Sequence, residues 1–328
     1  MPDVLTDLAR LLKKMRLEQG LGCAELARKA GLPVDEILAY EVDPTALDEQ
    51  TAIAVLRALP PDSDDDALLD WPDDSAEPPP AVIAQMEARM LELEAALRID
   101  EKRFRDALTC LDRALSLNPG RRQIGRLLIS KAAVLGELSR ETRALELLQE
   151  AERCLDAAAQ PRLWLRLRLE QLHLLCQAGR YEESEGKLAE ALDLAARVGR
   201  DRDRWQVRCL AGRIATGLGR REEAVTALLP VRAELLATRR SFEAAAVGLD
   251  LAGLLAGQGK LPAVAELALE MEPLTEETKL PHAARSTLKV FCWAVRRGSF
   301  TAEMGQRLAA EFRRTDSRLT RPYVIPGT

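Results

Sequence analysis

A spacing of 40 residues recurs through the second half of the chain and restricts its fold more than any other feature. Gly179, Gly219 and Gly259 each lie in a polar turn between two long segments with helical apolar periodicity. Glycine permits the positive φ of such a turn. The pattern predicts an array of helical hairpins that cover one another's apolar faces. The residues expected at the helix crossings keep this register, with a first spacing of 37: Ala107, Ala144, Ser184, Ala224 and Val264.

Composition agrees with an all-α chain. Leu, Ala, Arg and Glu dominate, and aromatic residues make up only 4%. No apolar run approaches the roughly 20 residues of a membrane span, so we expect a cytoplasmic protein without membrane contact.

The six cysteines form no Cys-x-x-Cys pair and are expected as reduced thiols. His173 and His282 lack ligand-spaced companions, so we expect no metal and no cofactor. Motifs of phosphate loops, hydrolases and metalloproteases are missing, which predicts a non-enzyme.

The segment 61–80 separates two domains. It holds eight acidic residues, five prolines and no basic residue, and it is predicted to be a linker without a packed core. The head, residues 1–60, has a net charge of −3, the linker −8 and the remainder +6. Residues 81–314 are assigned to the repeats with a C-terminal capping hairpin, and 315–328 to a tail. One hypothesis from the charges is that the linker competes for the repeats in cis.

The repeats resemble the tetratricopeptide repeat (TPR). In the segment 101–120, Phe104, Ala107, Leu111, Ala114 and Pro119 match the second half of that motif. Departures exist, because Arg221 and Leu261 replace the turn aromatic in later units and the period exceeds the usual length of about 34. The resemblance implies an all-α fold, in which a small helix-turn-helix bundle precedes a TPR-like right-handed α-solenoid. The first helix of each repeat would line a concave groove.

The groove candidates follow from this register. Three arginines and a glutamine stand at the second position of successive first helices. A histidine and a further arginine stand about two turns later in two of these helices. Such a stripe would suit a peptide carboxylate or acidic side chains. The alternative is that arginine is simply abundant in this chain, and the sequence leaves both open. The six groove candidates are Arg89, Arg126, Arg166, His173, Gln206 and Arg213.

The head is predicted to hold short helices with tight turns. Gly20 ends the first, 23–30 forms a second that Gly31 ends, and Pro33 opens a third. With Leu26, Ala27 and Ile37 at core positions, the pattern resembles the Cro/repressor-type (XRE) helix-turn-helix family. That family reads DNA with the start of the second helix and along the third. The DNA-facing candidates are therefore Lys13, Lys14, Arg16, Cys23, Arg28, Lys29, Val34, Asp35, Glu36 and Leu38.

These candidates are compatible with two functions, one with and one without DNA binding. Gly22 and Cys23 stand where the family usually has Ser-Gln, and the outward residues of the third helix are apolar or acidic. Head and array together resemble peptide-sensing bacterial transcription regulators. This resemblance implies a regulator whose groove binds a peptide or protein, and whose heads bind duplex DNA as a homodimer. The alternative is a non-DNA-binding TPR adaptor or scaffold whose head contacts proteins.

Overall fold

The computed structural model describes residues 21–58, 80–277 and 280–315, together with residues 6, 9, 10, 12, 13 and 16. Within these ranges all regular structure is helical and no strand occurs, so the all-α prediction is confirmed. The predicted linker up to residue 79, the predicted tail after Thr315 and the candidate Lys14 lie outside the described residues. No helix of the described part is long and apolar enough to cross a membrane.

Three helices of the head are described over their whole length. They are α1 (Cys23–Ala30), α2 (Val34–Val42) and α3 (Glu49–Ala58), with a 3-10 turn at Pro44–Ala46. Gly31 ends α1 in the left-handed conformation, as the sequence predicts. The apolar faces of these helices meet in a core around Leu26, Ile37 and Tyr40.

The head core also includes residues of the following helix, α4 (Pro80–Asp100). Leu93 and Ala96 of α4 are buried in the same apolar cluster as Leu26 and Ile37. No sequence feature indicates this shared core, because the acidic segment separates the two parts along the chain. The head therefore packs directly against the first helix of the repeats.

Helical hairpins follow at the predicted period. The second helices begin at 104, 141, 181, 221 and 261, and the first helices of the later hairpins begin at 121, 161, 201 and 241. These helix starts keep the spacing of 40 residues, after a first spacing of 37 between the second helices. The remaining helices are α5 (Phe104–Ser116), α6 (Arg121–Glu137), α7 (Glu141–Cys154), α8 (Pro161–Gln177), α9 (Tyr181–Val198), α10 (Asp201–Gly217), α11 (Arg221–Ala237), α12 (Ser241–Gly257), α13 (Leu261–Met271), α14 (His282–Arg296) and α15 (Ala302–Thr315).

The turn and crossing residues behave as the period predicts. Gly179, Gly219 and Gly259 have φ angles of +70°, +78° and +73°. The same turn position holds Lys102 and Ser139 in the first two repeats, and both adopt positive φ without being glycine. All five predicted crossing residues, from Ala107 to Val264, are buried.

The chain divides into two compact units within α8, one ending at Leu167 and one beginning at Arg168. Besides the head core, the first unit contains a cluster in which α4, α5 and α6 bury residues such as Leu111 and Leu127. The core of the second unit extends from α10 to α15 and includes Phe291 and Phe312. Apolar burial therefore stabilises each unit along its own hairpins.

Candidate functional site

The outer face of α2 is apolar and acidic. Val34, Leu38 and Val42 follow one another at single-turn spacing, and their side chains are 39%, 44% and 85% exposed. Asp35 and Glu36, in the first turn, are also exposed. Of the nine residues of α2, only Tyr40 carries a side-chain donor at neutral pH, and its side chain is buried. We call the row formed by Val34, Leu38 and Val42 the α2 ridge.

Two of the basic DNA-facing candidates are engaged inside the head. The guanidinium of Arg16 binds the Glu41 carboxylate with Nε–Oε1 and Nη2–Oε2 distances of 2.5 and 2.7 Å. Its Nη1 donates to the Leu21 carbonyl oxygen, and the hydrogen bond with Glu41 raises the pKa of Arg16. Lys13 Nζ donates to the Glu41 carbonyl oxygen at 2.8 Å. These side chains hold the end of α2 in place, and Arg16 is buried.

The other candidates of the head lie on or near α1. Cys23 is half-buried, with Sγ 3.7 Å from Glu41 Oε2. Arg28 and Lys29 are exposed at the end of α1, and Lys29 forms an ion pair of 3.5 Å with Glu25. An exposed pair of this kind is weak and leaves the lysine available for a partner. The C-terminal end of α1 therefore presents two exposed cations, and the outer face of α2 presents apolar and acidic side chains.

In the first unit, the three predicted groove arginines converge on a carboxylate that the sequence pattern had not singled out. Glu92 of α4 is fully buried, and Arg89 Nη1 and Arg126 Nε lie 2.8 and 2.9 Å from its Oε2. Ser130 Oγ donates to Glu92 Oε1 at 3.2 Å, and it accepts from Arg166 Nη2 at 2.7 Å. We call this set of five residues the Glu92 cluster.

The electrostatics of the Glu92 cluster favour a charged carboxylate. Burial alone would raise the pKa of Glu92, but Arg126, Arg89 and Arg166 together lower it to about 2. Arg126 and Arg166, two of the predicted groove arginines, are buried. A sequence signal for Glu92 existed, because it stands three residues after Arg89 on the same helix face.

The second unit holds the remaining groove candidates. His173 on α8 and Arg213 on α10 occupy equivalent positions, 40 residues apart. His173 is buried, and burial followed by the charges of Arg213 and Arg313 places its pKa well below the ordinary value, so the imidazole is neutral. Its Nε2 lies 3.0 Å from Gln177 Nε2. Gln206, also on α10, is buried.

Arg213 lies beside an ion pair formed by two other helices. Arg313 of α15 places Nη1 2.7 Å from both carboxylate oxygens of Asp250 on α12. Burial, and then the charge of Arg313, lowers the pKa of Arg213. Burial and the Asp250 carboxylate raise the pKa of Cys209 to about 12, so this neighbouring thiol stays protonated. We call Arg213, Asp250 and Arg313 the Arg213 cluster.

Comparison with known proteins identifies the fold. A solved structure of a Rap protein complexed with competence and sporulation factor has a TM-score of 0.55 at 13% identity, covering 95% of this chain and 91% of the other. The apo form of RapI has a TM-score of 0.48 at 11% identity, covering 95% of this chain and 97% of the other. The first likeness shows a shared helical fold. No protein-family model matches this sequence, and no curated protein matches it.

Proposed function

We propose that this chain is a cytoplasmic, non-enzymatic regulatory adaptor. Its repeats bind a peptide or protein, and its head contacts a second protein through the α2 ridge. The observation that carries the proposal is the chemistry of α2, whose exposed residues are apolar or acidic. The fold shared with a Rap protein that was solved with competence and sporulation factor supports a ligand in the repeats.

The face of α2 suits a protein better than DNA. A helix that reads the major groove needs donors for guanine and phosphate, such as Arg, Lys, Asn or Gln. The exposed side chains of α2 offer none, and Asp35 and Glu36 would face a polyanion. A ridge of three apolar side chains beside two carboxylates instead matches a partner with an apolar groove and a basic rim.

A second candidate function is a DNA-binding transcription regulator, in which a ligand in the repeats repositions two heads of a homodimer. The observation that favours it is the pair of helices α1 and α2 joined by a tight turn, with Arg28 and Lys29 exposed at the end of α1. These residues could contact phosphates. Sequence-specific reading would then need donors from outside α2.

One substitution separates the two candidates. Leu38→Arg places a cation in the α2 ridge, so it should weaken an apolar protein contact and strengthen DNA binding. Leu229→Arg on α11 is the matched control, because Leu229 is similarly exposed at 50% and lies outside the head. Full-length wild type and both variants are incubated with extract of the source cells and, separately, with random duplex DNA near physiological salt.

We expect a protein that wild type and Leu229→Arg retain and that Leu38→Arg retains at least about tenfold less, as for an anchor residue of an interface. We expect no duplex sequence to be enriched. Enrichment of a duplex that Leu38→Arg strengthens and Arg28→Ala weakens would reject the adaptor and establish the regulator.

A further inference from the structure

Arg213 is a partly buried cation without a counter-ion of its own. Among the described residues it makes neither a hydrogen bond nor an ion pair, and it remains partly accessible to solvent. Asp250 is the nearby carboxylate, but both of its oxygens accept from Arg313. A guanidinium that has lost part of its hydration beside a second guanidinium is stabilised by an anion close to it. This position therefore indicates an anion that a ligand supplies.

The surroundings of Arg213 limit what that anion can be. The neighbouring His173 and Cys209 are uncharged at neutral pH, so two guanidiniums and one carboxylate leave the Arg213 cluster with a single net positive charge. A carboxylate would balance that charge and could accept two parallel hydrogen bonds from the guanidinium. A phosphate dianion would overcompensate it and meet the Asp250 carboxylate at close range.

The position of Arg213 in the repeats makes a peptide the natural source of the carboxylate. Arg213 lies on α10, a first helix, at the position that His173 occupies one repeat earlier. We propose that Arg213 binds a carboxylate of a peptide held in the repeats, with the Arg313–Asp250 pair fixed beside it. This inference rests on the proposed function, because it assumes that the repeats bind a peptide. The carboxylate can be the peptide C-terminus or an Asp or Glu side chain.

The test uses full-length protein and three substitutions on α10. Arg213→Gln removes the cation, and Arg213→Lys keeps the charge but loses the planar fork. Arg204→Gln is the matched control, because Arg204 lies on the same helix and pairs with the exposed Asp201. Each protein is equilibrated with two random pentapeptide mixtures, one with free and one with amidated C-termini, and retained peptides are identified by mass spectrometry.

We expect wild type and Arg204→Gln to retain a subset of peptides. Arg213→Gln should retain the same subset about tenfold to a hundredfold less, the effect of losing a charge-assisted hydrogen bond. Arg213→Lys should fall between the two. Retention restricted to the free C-terminal mixture assigns the C-terminal carboxylate. Enrichment of Asp or Glu in both mixtures assigns a side chain.

Other outcomes separate this inference from the proposed function. Equal retention by wild type and Arg213→Gln would overturn the carboxylate site and leave peptide binding by the repeats intact. If wild type retained no peptide from either mixture, peptide binding itself would be rejected, and the carboxylate site with it. Circular dichroism of each variant shows whether it remains folded. If Arg213→Gln were unfolded, Arg213→Lys with its charge kept would carry the comparison.

Discussion

Arg16 and Glu41 form a two-point ion pair between the amino-terminal part of the head and the end of α2, with side chains only 8% and 7% exposed. The pair joins residues that are 25 positions apart. The helix-turn-helix pattern predicts that Arg16 is one of the cations that face DNA, but its guanidinium binds Glu41 inside the head. Arg16 therefore contributes to the orientation of α2, and the α2 ridge depends on it.

Loss of this pair should destabilise the head. Arg16→Met leaves the Glu41 carboxylate buried and uncompensated, so we expect the free energy of unfolding to fall by about 3 kcal/mol. Lys29→Met is the control, since its exposed pair with Glu25 should change stability by less than about 1 kcal/mol. Urea denaturation followed by circular dichroism measures both. Equal midpoints for the two variants would show that the Arg16–Glu41 pair does not stabilise the head.

The Glu92 cluster should make stability depend on pH. The pKa of Glu92 in the folded chain, about 2, lies below its ordinary value of 4.5, so the unfolded chain takes up the proton first as the pH falls. The stability that the carboxylate contributes is complete above pH 4.5 and is lost progressively toward pH 2. We therefore expect Glu92→Gln to destabilise strongly at pH 7, by about 3 kcal/mol, and less at pH 3.5.

Urea denaturation at the two pH values tests this expectation. Glu146→Gln serves as the control, because Glu146 forms an exposed pair with Arg143 and its loss should matter little at either pH. A Glu92→Gln effect of the same size at pH 7 and pH 3.5 would contradict a charged carboxylate in the folded chain.

Two substitutions in the turns between first and second helices should change the free energy of unfolding in opposite directions. Gly179 has a φ of +70°, so Gly179→Ala should lower the free energy of unfolding by about 1 kcal/mol. Ser139 occupies the equivalent turn with a φ of +55°, so Ser139→Gly should raise it by a few tenths to about 1 kcal/mol. Thermal unfolding of the two single variants measures both effects. A loss of stability in Ser139→Gly would contradict the equivalence of the two turns.

The same two turns explain how far the sequence predicts the fold. The 40-residue period can be recognised in the sequence from Gly179 onward, because glycine is the residue that most readily adopts a positive φ. Lys102 and Ser139 adopt that conformation although neither is glycine, so the first repeats are indicated only by the register of Ala107 and Ala144 and by the resemblance to the TPR motif. Helix boundaries can be predicted from the sequence, because apolar periodicity and turn chemistry are local properties of the chain.

The candidate sites were less predictable because they depend on contacts between distant residues. The spacing of Arg89, Arg126 and Arg166 is visible in the sequence, but their convergence on Glu92 is visible only in the structure. Asp250 and Arg313 are 63 positions apart, and neither belongs to the predicted groove set. The periodicity of α2 indicates that Val34 and Leu38 face outward, and both are exposed, whereas the exposed Val42 is not among the candidates.

The contact between α12 and α15 gives a final prediction, which concerns the support of the Arg213 cluster. A Cβ atom on Gly305 of α15 would lie 2.5 Å from the Cα of Gly253 on α12, closer than real Cβ atoms come to a backbone. Gly305→Ala should therefore separate the two helices and lower the free energy of unfolding by about 2 kcal/mol, although alanine is the better helix former. Differential scanning calorimetry measures this loss.

Gly186→Ala on α9 is the matched control for Gly305→Ala, because nothing lies within 4 Å of a Cβ at that position. There the gain in helix propensity acts alone, so stability should rise by up to about 1 kcal/mol. Because α12 and α15 carry Asp250 and Arg313, the Gly305→Ala variant should also weaken peptide retention, and Gly186→Ala should not. Equal stability and equal peptide retention in Gly305→Ala and Gly186→Ala would contradict this prediction. Arg313 would then be positioned beside Arg213 by something other than the close packing of α15.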